Sequence, residues 1–136
     1  MHEVIDFLNQ NRTVFLATLD DQDRGAPRVR PVQFQFEQGG RLWFCTSRAK
    51  EMFAQLQADP RLELSGAAKN MATIRLKGQA VLDDDLAVKE RILAENALVR
   101  SIYKDAANPD FTVFSVDHGS AFLFDFSGDP PKTVRF

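Results

Sequence analysis

The chain has a single cysteine, Cys45, so no intrachain disulfide can form, and a zinc or iron–sulfur site built from the thiolates of one chain is excluded. Histidine is scarce too. His2 and His118 lie far apart, and neither stands in a metal-ligand spacing or beside a recognisable nucleophile, which argues against a metal centre or a Ser-His-Asp arrangement. No apolar run approaches the ~18 to 20 residues a membrane span needs, and the opening MHEVIDFLNQN lacks the basic start and apolar centre of a secretion signal. Low-complexity tracts, long Gly/Ser linkers and internal repeats are absent. So are a phosphate-loop or dinucleotide glycine fingerprint and a nucleophile elbow around Ser120. Positive charge is not in excess: 17 Lys and Arg face 19 Asp and Glu, for a net charge of -2, unlike a general nucleic-acid binder. Together these absences predict a cytoplasmic protein with neither membrane nor nucleic acid as partner.

What is present fits one domain over residues 1–136, with 44% apolar residues to build a core. Charge is unevenly spread. Arg24, Arg28, Arg30, Arg41, Arg48 and Lys50 face only Glu37 between positions 24 and 50, a local balance of +5 that leaves -7 elsewhere. Val4, Ile5, Phe7 and Leu8 recur at helical spacing, predicting a short N-terminal helix. Thr13–Leu19 and the alternating Arg28–Phe36 read as an antiparallel pair around DDQDRGAP, and Arg41–Cys45 as a third strand after the Glu37–Gly40 turn. Ala49, Met52, Phe53 and Leu56 mark a helix face with Ser47 as its expected N-cap, ending near Asp59-Pro60.

Leu62–Gly66 and a long Ala72–Leu82 read as further strands, with Gly78 marking a bulge or a close backbone approach. Asp83–Asp85 are expected to cap a helix carrying Leu86, Ile92 and Leu93 and running on through Leu98–Tyr103. Phe111–Val116 and Ala121–Phe126 flank His118-Gly119 as a last expected hairpin, before a Pro-containing tail. Six or seven strands with about three helices predict an α+β protein, mainly antiparallel, closed into a small barrel that hides its strand edges. Twelve Phe against one Tyr and one Trp suit such a core, because Phe needs no hydrogen-bond partner.

Two segments can carry chemistry. In Thr46-Ser47-Arg48-Ala49-Lys50 two hydroxyls precede the expected helix start, and cations there oppose the helix dipole by about 0.3 to 1 kcal/mol each unless an anion offsets them. Either a bound phosphate is held by free N–H groups, Thr46, Ser47 and Lys50, or Ser47 is a simple cap and the cations extend into water. In Pro27-Arg28-Val29-Arg30-Pro31, Arg28 and Arg30 share one strand face, while Pro31 places the segment at an edge or opening. That pair either receives an anion or is a solvated edge protected by its charge. Cys45 reads as a small core residue whose nearness to the basic segment would lower its pKa.

In order and spacing, TVFLATLD, PRVRPVQF, LWFCTSRAKEMFAQLQADPRLEL and IRLKGQAVLDDD resemble the FMN-binding split-barrel family related to pyridoxamine 5'-phosphate oxidase. The resemblance implies a six-stranded split β-barrel with flanking helices, forming a homodimer with cofactor sites at the subunit interface. It implies that Arg28, Val29, Arg30 and Pro31 pass the isoalloxazine, with an arginine also reaching the phosphate. Thr46, Ser47 and Lys50 would hold the phosphate, and the partner subunit would add contacts near Arg75, Gly78 and Gln79. The expected function is an FMN-dependent oxidoreductase moving hydride to or from a small molecule. The alternatives are a non-catalytic flavin-binding or sensing module, a nitro-aromatic substrate, or the same fold holding a deazaflavin or haem. The Trp- and Arg-bearing C-terminal substrate segment of pyridoxamine 5'-phosphate oxidase itself has no clear counterpart in DFSGDPPKTVRF, which argues against vitamin B6 oxidation.

Overall fold

The computed structural model describes all 136 residues. Helix α1 (His2–Gln10) leads into β1 (Thr13–Asp20), β2 (Ala26–Gln33), β3 (Phe36–Gln38) and β4 (Arg41–Ser47). Then come α2 (Glu51–Ala58), β5 (Arg61–Ala67), β6 (Thr73–Gln79), β7 (Val81–Leu82), α3 (Leu86–Glu95) and α4 (Ala97–Tyr103). Three strands close the chain: β8 (Phe111–Val116), β9 (Gly119–Phe124) and β10 (Lys132–Arg135). They form a six-stranded sheet, in the order β10-β9-β6-β5-β1-β2, and a four-stranded sheet, β3-β4-β8-β7, with every pairing antiparallel.

Three expected elements are corrected. The Arg28–Phe36 strand breaks at Phe34-Gln35, the long Ala72–Leu82 strand breaks at Ala80, and β8 and β9 do not pair with each other. At each break the chain leaves one sheet and enters the other. The last hairpin is instead β9–β10, built from the tail in which no strand was expected. If each bent pair is taken as one segment, the pairings run β1, β2-β3, β4, β8-β9, β6-β7, β5 and back to β1. Neither sheet closes alone, but the bends join them into a mainly antiparallel α+β split barrel. Gly78 does mark a close approach: a Cβ there would lie 2.8 Å from the His118 carbonyl oxygen and from Val116 Cγ1.

Inward residues of both sheets make the barrel core, with Phe34 edge-on to Phe44 at 5.8 Å and Phe44 stacked on Phe114 at 5.3 Å. A second cluster joins the outside of the smaller sheet (Phe36, Trp43, Phe111, Val113) to α3 and α4 (Val88, Ile92, Leu93, Val99, Tyr103). Strand β8 is therefore buried on both faces, which explains its almost unbroken apolar run. Asp85 caps α3 as expected, accepting from the Val88 N–H, but the helical run then divides at Asn96, which caps α4 through the Val99 N–H.

Ahead of α3, Asp84 is shared by two cations, the buried Lys89 ammonium and Arg48 at 2.8 Å. Arg48 also donates to the carbonyls of Pro109 and Phe111, so it ties loops together. These cations, through their hydrogen bonds, hold the Asp84 carboxyl below its ordinary pKa. A depressed carboxyl contributes stability above its unfolded pKa and loses it as pH falls through the folded value. Asp84→Asn is accordingly expected to cost about 1 to 2 kcal/mol at pH 7, modest because Asp84 is itself exposed. Urea melts at neutral and acid pH check this, and the difference from wild type should shrink below about pH 4.

Candidate functional site

Strand β2 is an edge strand, as Pro31 led us to expect, and where it bends toward β3 it parts from the end of β4. A cleft of about 640 Å³ opens there. One wall carries Arg30, Pro31 and Val32 from β2, Cys45 and Thr46 from β4, and Lys50, Glu51 and Met52 from the start of α2. The other wall is α4, through Leu98, Val99, Ile102 and Tyr103. Strand alternation sends Arg28 and Arg30 to one face, but their surroundings differ.

Arg30 is half-buried, donating to Thr18 Oγ1 at 2.7 Å and Gln55 Oε1 at 2.6 Å, while Thr18 also donates to Gln55 at 2.6 Å. No carboxylate pairs with it; burial pushes its pKa down, and only the charge of Glu51 opposes that. It is thus a partly desolvated cation in no salt bridge, with Glu51 as the opposing charge in the cleft, a state an anion would relieve further. Arg28 is instead engaged by Asp20 at 3.3 Å and Asp23 at 2.5 Å beside the β1–β2 turn and does not line the cleft. Lys50 is exposed and has no ion pair. The clearest mark of a missing partner is Thr46: only 3% exposed, its Oγ1 meets no hydrogen-bond partner in the chain.

The helix start departs from expectation. Lys50, with extended backbone (φ -87°, ψ 148°), is the N-cap of α2, and Ser47 Oγ accepts instead from the Ala49 N–H at 3.1 Å. The strand runs on to Ser47 because its pairing with β8 continues to Phe111, leaving Arg48 and Lys50 in the connecting turn rather than the first helical turn. Ser47 does not line the cleft. Val29, on the outer face of β2, is 69% exposed. Burial raises the Cys45 thiol to about 12, against the pull of Lys50, which reverses the expected direction. Cys45 should therefore resist iodoacetamide at pH 8 in the native protein and react only after denaturation, as mass spectrometry would show.

Residues 1–122 match the protein family described as pyridoxamine 5'-phosphate oxidase. The chain belongs to that family. Among solved structures, a NimC/NimA family protein from Clostridium acetobutylicum is 30% identical, with a TM-score of 0.89 over 100% of this chain and 92% of that one. A pyridoxamine 5'-phosphate oxidase-related, FMN binding protein from Nostoc punctiforme is 18% identical, with a TM-score of 0.77 over 97% and 86%. A heme binding protein from Mycobacterium smegmatis is 22% identical, with a TM-score of 0.74 over 93% of this chain and 54% of that one. The last two likenesses show the shared fold. No curated protein matches the sequence.

Arg75, Gly78 and Gln79, which the likeness to the oxidase family assigns to a partner's site, do not line the cleft of their own chain. They sit on β6, Arg75 exposed with its guanidinium 5.2 Å from the Phe122 ring, Gly78 and Gln79 lining a separate groove. Sequence reasoning missed the α4 wall and the Thr18–Gln55 support beneath Arg30. It also missed the clamp in which Asn96 donates to Gln33 Oε1 at 2.7 Å and Gln35 Oε1 at 3.0 Å, fixing α4 to the β2–β3 bend. A polar Asn dividing two helical periods was the only available signal. No helix is long and apolar enough to cross a membrane.

Proposed function

We propose that this protein binds FMN in the cleft between β2, β4 and α4, works as a homodimer, and is an oxidoreductase acting on a small molecule. The observation that carries this reading is the convergence of Arg30, Lys50 and the partnerless Thr46 Oγ1 on one cleft. A phosphate monoester supplies the acceptor that Thr46 and Lys50 lack and the counter-charge that Arg30 lacks. Thr46 donates its hydroxyl proton, Lys50 contributes charge, and Arg30 offsets negative charge from a scaffold preset by Thr18 and Gln55. Ser47 stiffens the turn carrying Lys50, and Arg28 stiffens the β1–β2 turn. When bound, FMN supplies hydride transfer at its N5.

The dimer is supported by the outer face of β1 and β2. Phe15, 54% exposed, stands opposite Pro31, and Ala17 stands opposite the exposed Val29, leaving an apolar patch on an edge strand. In such a dimer Val29 and Pro31 would lie near the shared site, with Arg75 and Gln79 supplied by the partner. Haem, a deazaflavin or a flavin module without turnover are the competing occupants and roles. The absorption spectrum of the protein as purified, followed by FMN titration and then by reduction with NADH or NADPH, separates them. The reading expects flavin bands, or quenching of added FMN at micromolar concentration, and reoxidation by an acceptor. A colourless protein that leaves FMN fluorescence unchanged overturns it.

A further inference from the structure

The two walls of the cleft differ in chemistry. The β2–β4–α2 wall holds every charged group, Arg30, Lys50 and Glu51, while α4 contributes Leu98, Val99, Ile102 and Tyr103 and no charge. Leu98 and Ile102 are 63% and 58% exposed and one helical turn apart, while Val99 and Tyr103, the residues that follow them, are buried. Tyr103, the only tyrosine, is held by stacking on Phe111 at 4.6 Å with an 18° interplanar angle. Its hydroxyl has no hydrogen-bond partner in the chain, and the residue lines the cleft. Asn96 anchors the helix to Gln33 and Gln35, so this wall is preset.

We propose that α4 forms the substrate side of the cleft and selects an uncharged, mainly apolar molecule with a carbonyl oxygen. Leu98 and Ile102 cover its body, and the Tyr103 hydroxyl donates to the oxygen. This rests on the FMN reading, in which the cofactor's phosphate takes the cationic wall. Because Arg100, the one charged residue of α4, donates to the Leu93 and Ala94 carbonyls and does not line the cleft, a second anion finds no complement there, whereas a neutral acceptor oxygen satisfies the free phenol. Burial, together with the nearby Cys45 and Asp110, raises the Tyr103 pKa, which keeps the phenol protonated as a donor.

The test uses FMN-loaded protein and two probes in equilibrium dialysis: 2,3-dimethyl-1,4-naphthoquinone, and 2,3-dimethylnaphthalene, a similar body without oxygen. Tyr103→Phe, which keeps the ring stacked, should weaken quinone binding about 5- to 10-fold and leave the hydrocarbon unchanged. Leu98→Ser with Ile102→Ser, measured at saturating FMN, should weaken both about 10-fold or more, with oligomeric state unaltered. Unchanged quinone affinity in Tyr103→Phe, an equal loss for both probes in that variant, or a Leu98/Ile102 variant that alters only the oligomeric state would overturn the inference. FMN affinity is measured first on the wild type. Failure there overturns the FMN reading and this inference together, whereas normal FMN binding with probe affinities insensitive to α4 overturns this inference alone.

Discussion

Lys50→Ala is expected to weaken FMN binding by about 1.5 to 3 kcal/mol, or 10- to 150-fold, the scale of a charge-assisted hydrogen bond. Lys50 is exposed, has no ion pair and caps α2 through its backbone rather than its side chain, so truncation should leave the fold intact. Fluorescence titration reads the affinity, and an unchanged melting temperature confirms the fold. Arg30→Ala should weaken FMN to a similar degree but also destabilise the protein, because the buried Thr18–Gln55 pair loses the two hydrogen bonds that the guanidinium donates to it. The contrast is informative. Two cations reach one cleft, but only one is built into the scaffold, so stability should separate the pair even where affinity does not.

Gly119→Ala is expected to destabilise the fold by about 2 to 3 kcal/mol, lowering the melting temperature by roughly 8 to 12 °C. A Cβ at Gly119 would lie 2.5 Å from the Lys77 carbonyl oxygen and 3.4 Å from its carbon. Those are backbone atoms of a paired strand, which cannot swing aside as a side-chain end would. Gly119 sits where the chain leaves the smaller sheet and enters the larger, so relief requires shifting a strand that joins the two halves of the barrel. A melting temperature within about 2 °C of the wild type would show that the crossing is looser than described.

Both predictions depend on features unevenly visible in the sequence. Local patterns were legible: apolar spacing marked α1, α2 and α3, alternation marked the strands, Pro31 marked an edge, and Asp85 marked a cap. The bends were not. Apolar alternation runs on from Val32 through Phe34 to Phe36, yet Phe34 packs inside the barrel and Phe36 outside it against the helices. Strand alternation reports which side chains avoid water, not which sheet they face, and the partners that decide this are far away in sequence. His118-Gly119 resembled a turn for the same reason: glycine allows both a tight turn and a close backbone approach.

The site divides along the same line. Arg30, Thr46 and Lys50 were legible because local charge and hydroxyl groups pointed to an anion, and the fold brings all three to one cleft. Arg28 was indistinguishable from Arg30 by strand position, and only Asp20 and Asp23, folded back by the turn, set it apart. Ser47 was misplaced because the pairing of β4 with β8 carries the strand past the residue expected to cap the helix. The α4 wall was invisible, since about fifty residues separate it from Lys50 and only tertiary packing joins them.

The claim that the cleft between β2 and β4 is a phosphate site for a flavin is tested most directly by comparing FMN with riboflavin, which lacks the phosphate. The wild type should bind FMN about 100-fold or more tighter than riboflavin, and Lys50→Ala should collapse most of that ratio by weakening FMN alone. Equal affinities for the two flavins, or a Lys50→Ala variant that keeps the full ratio, would contradict the account.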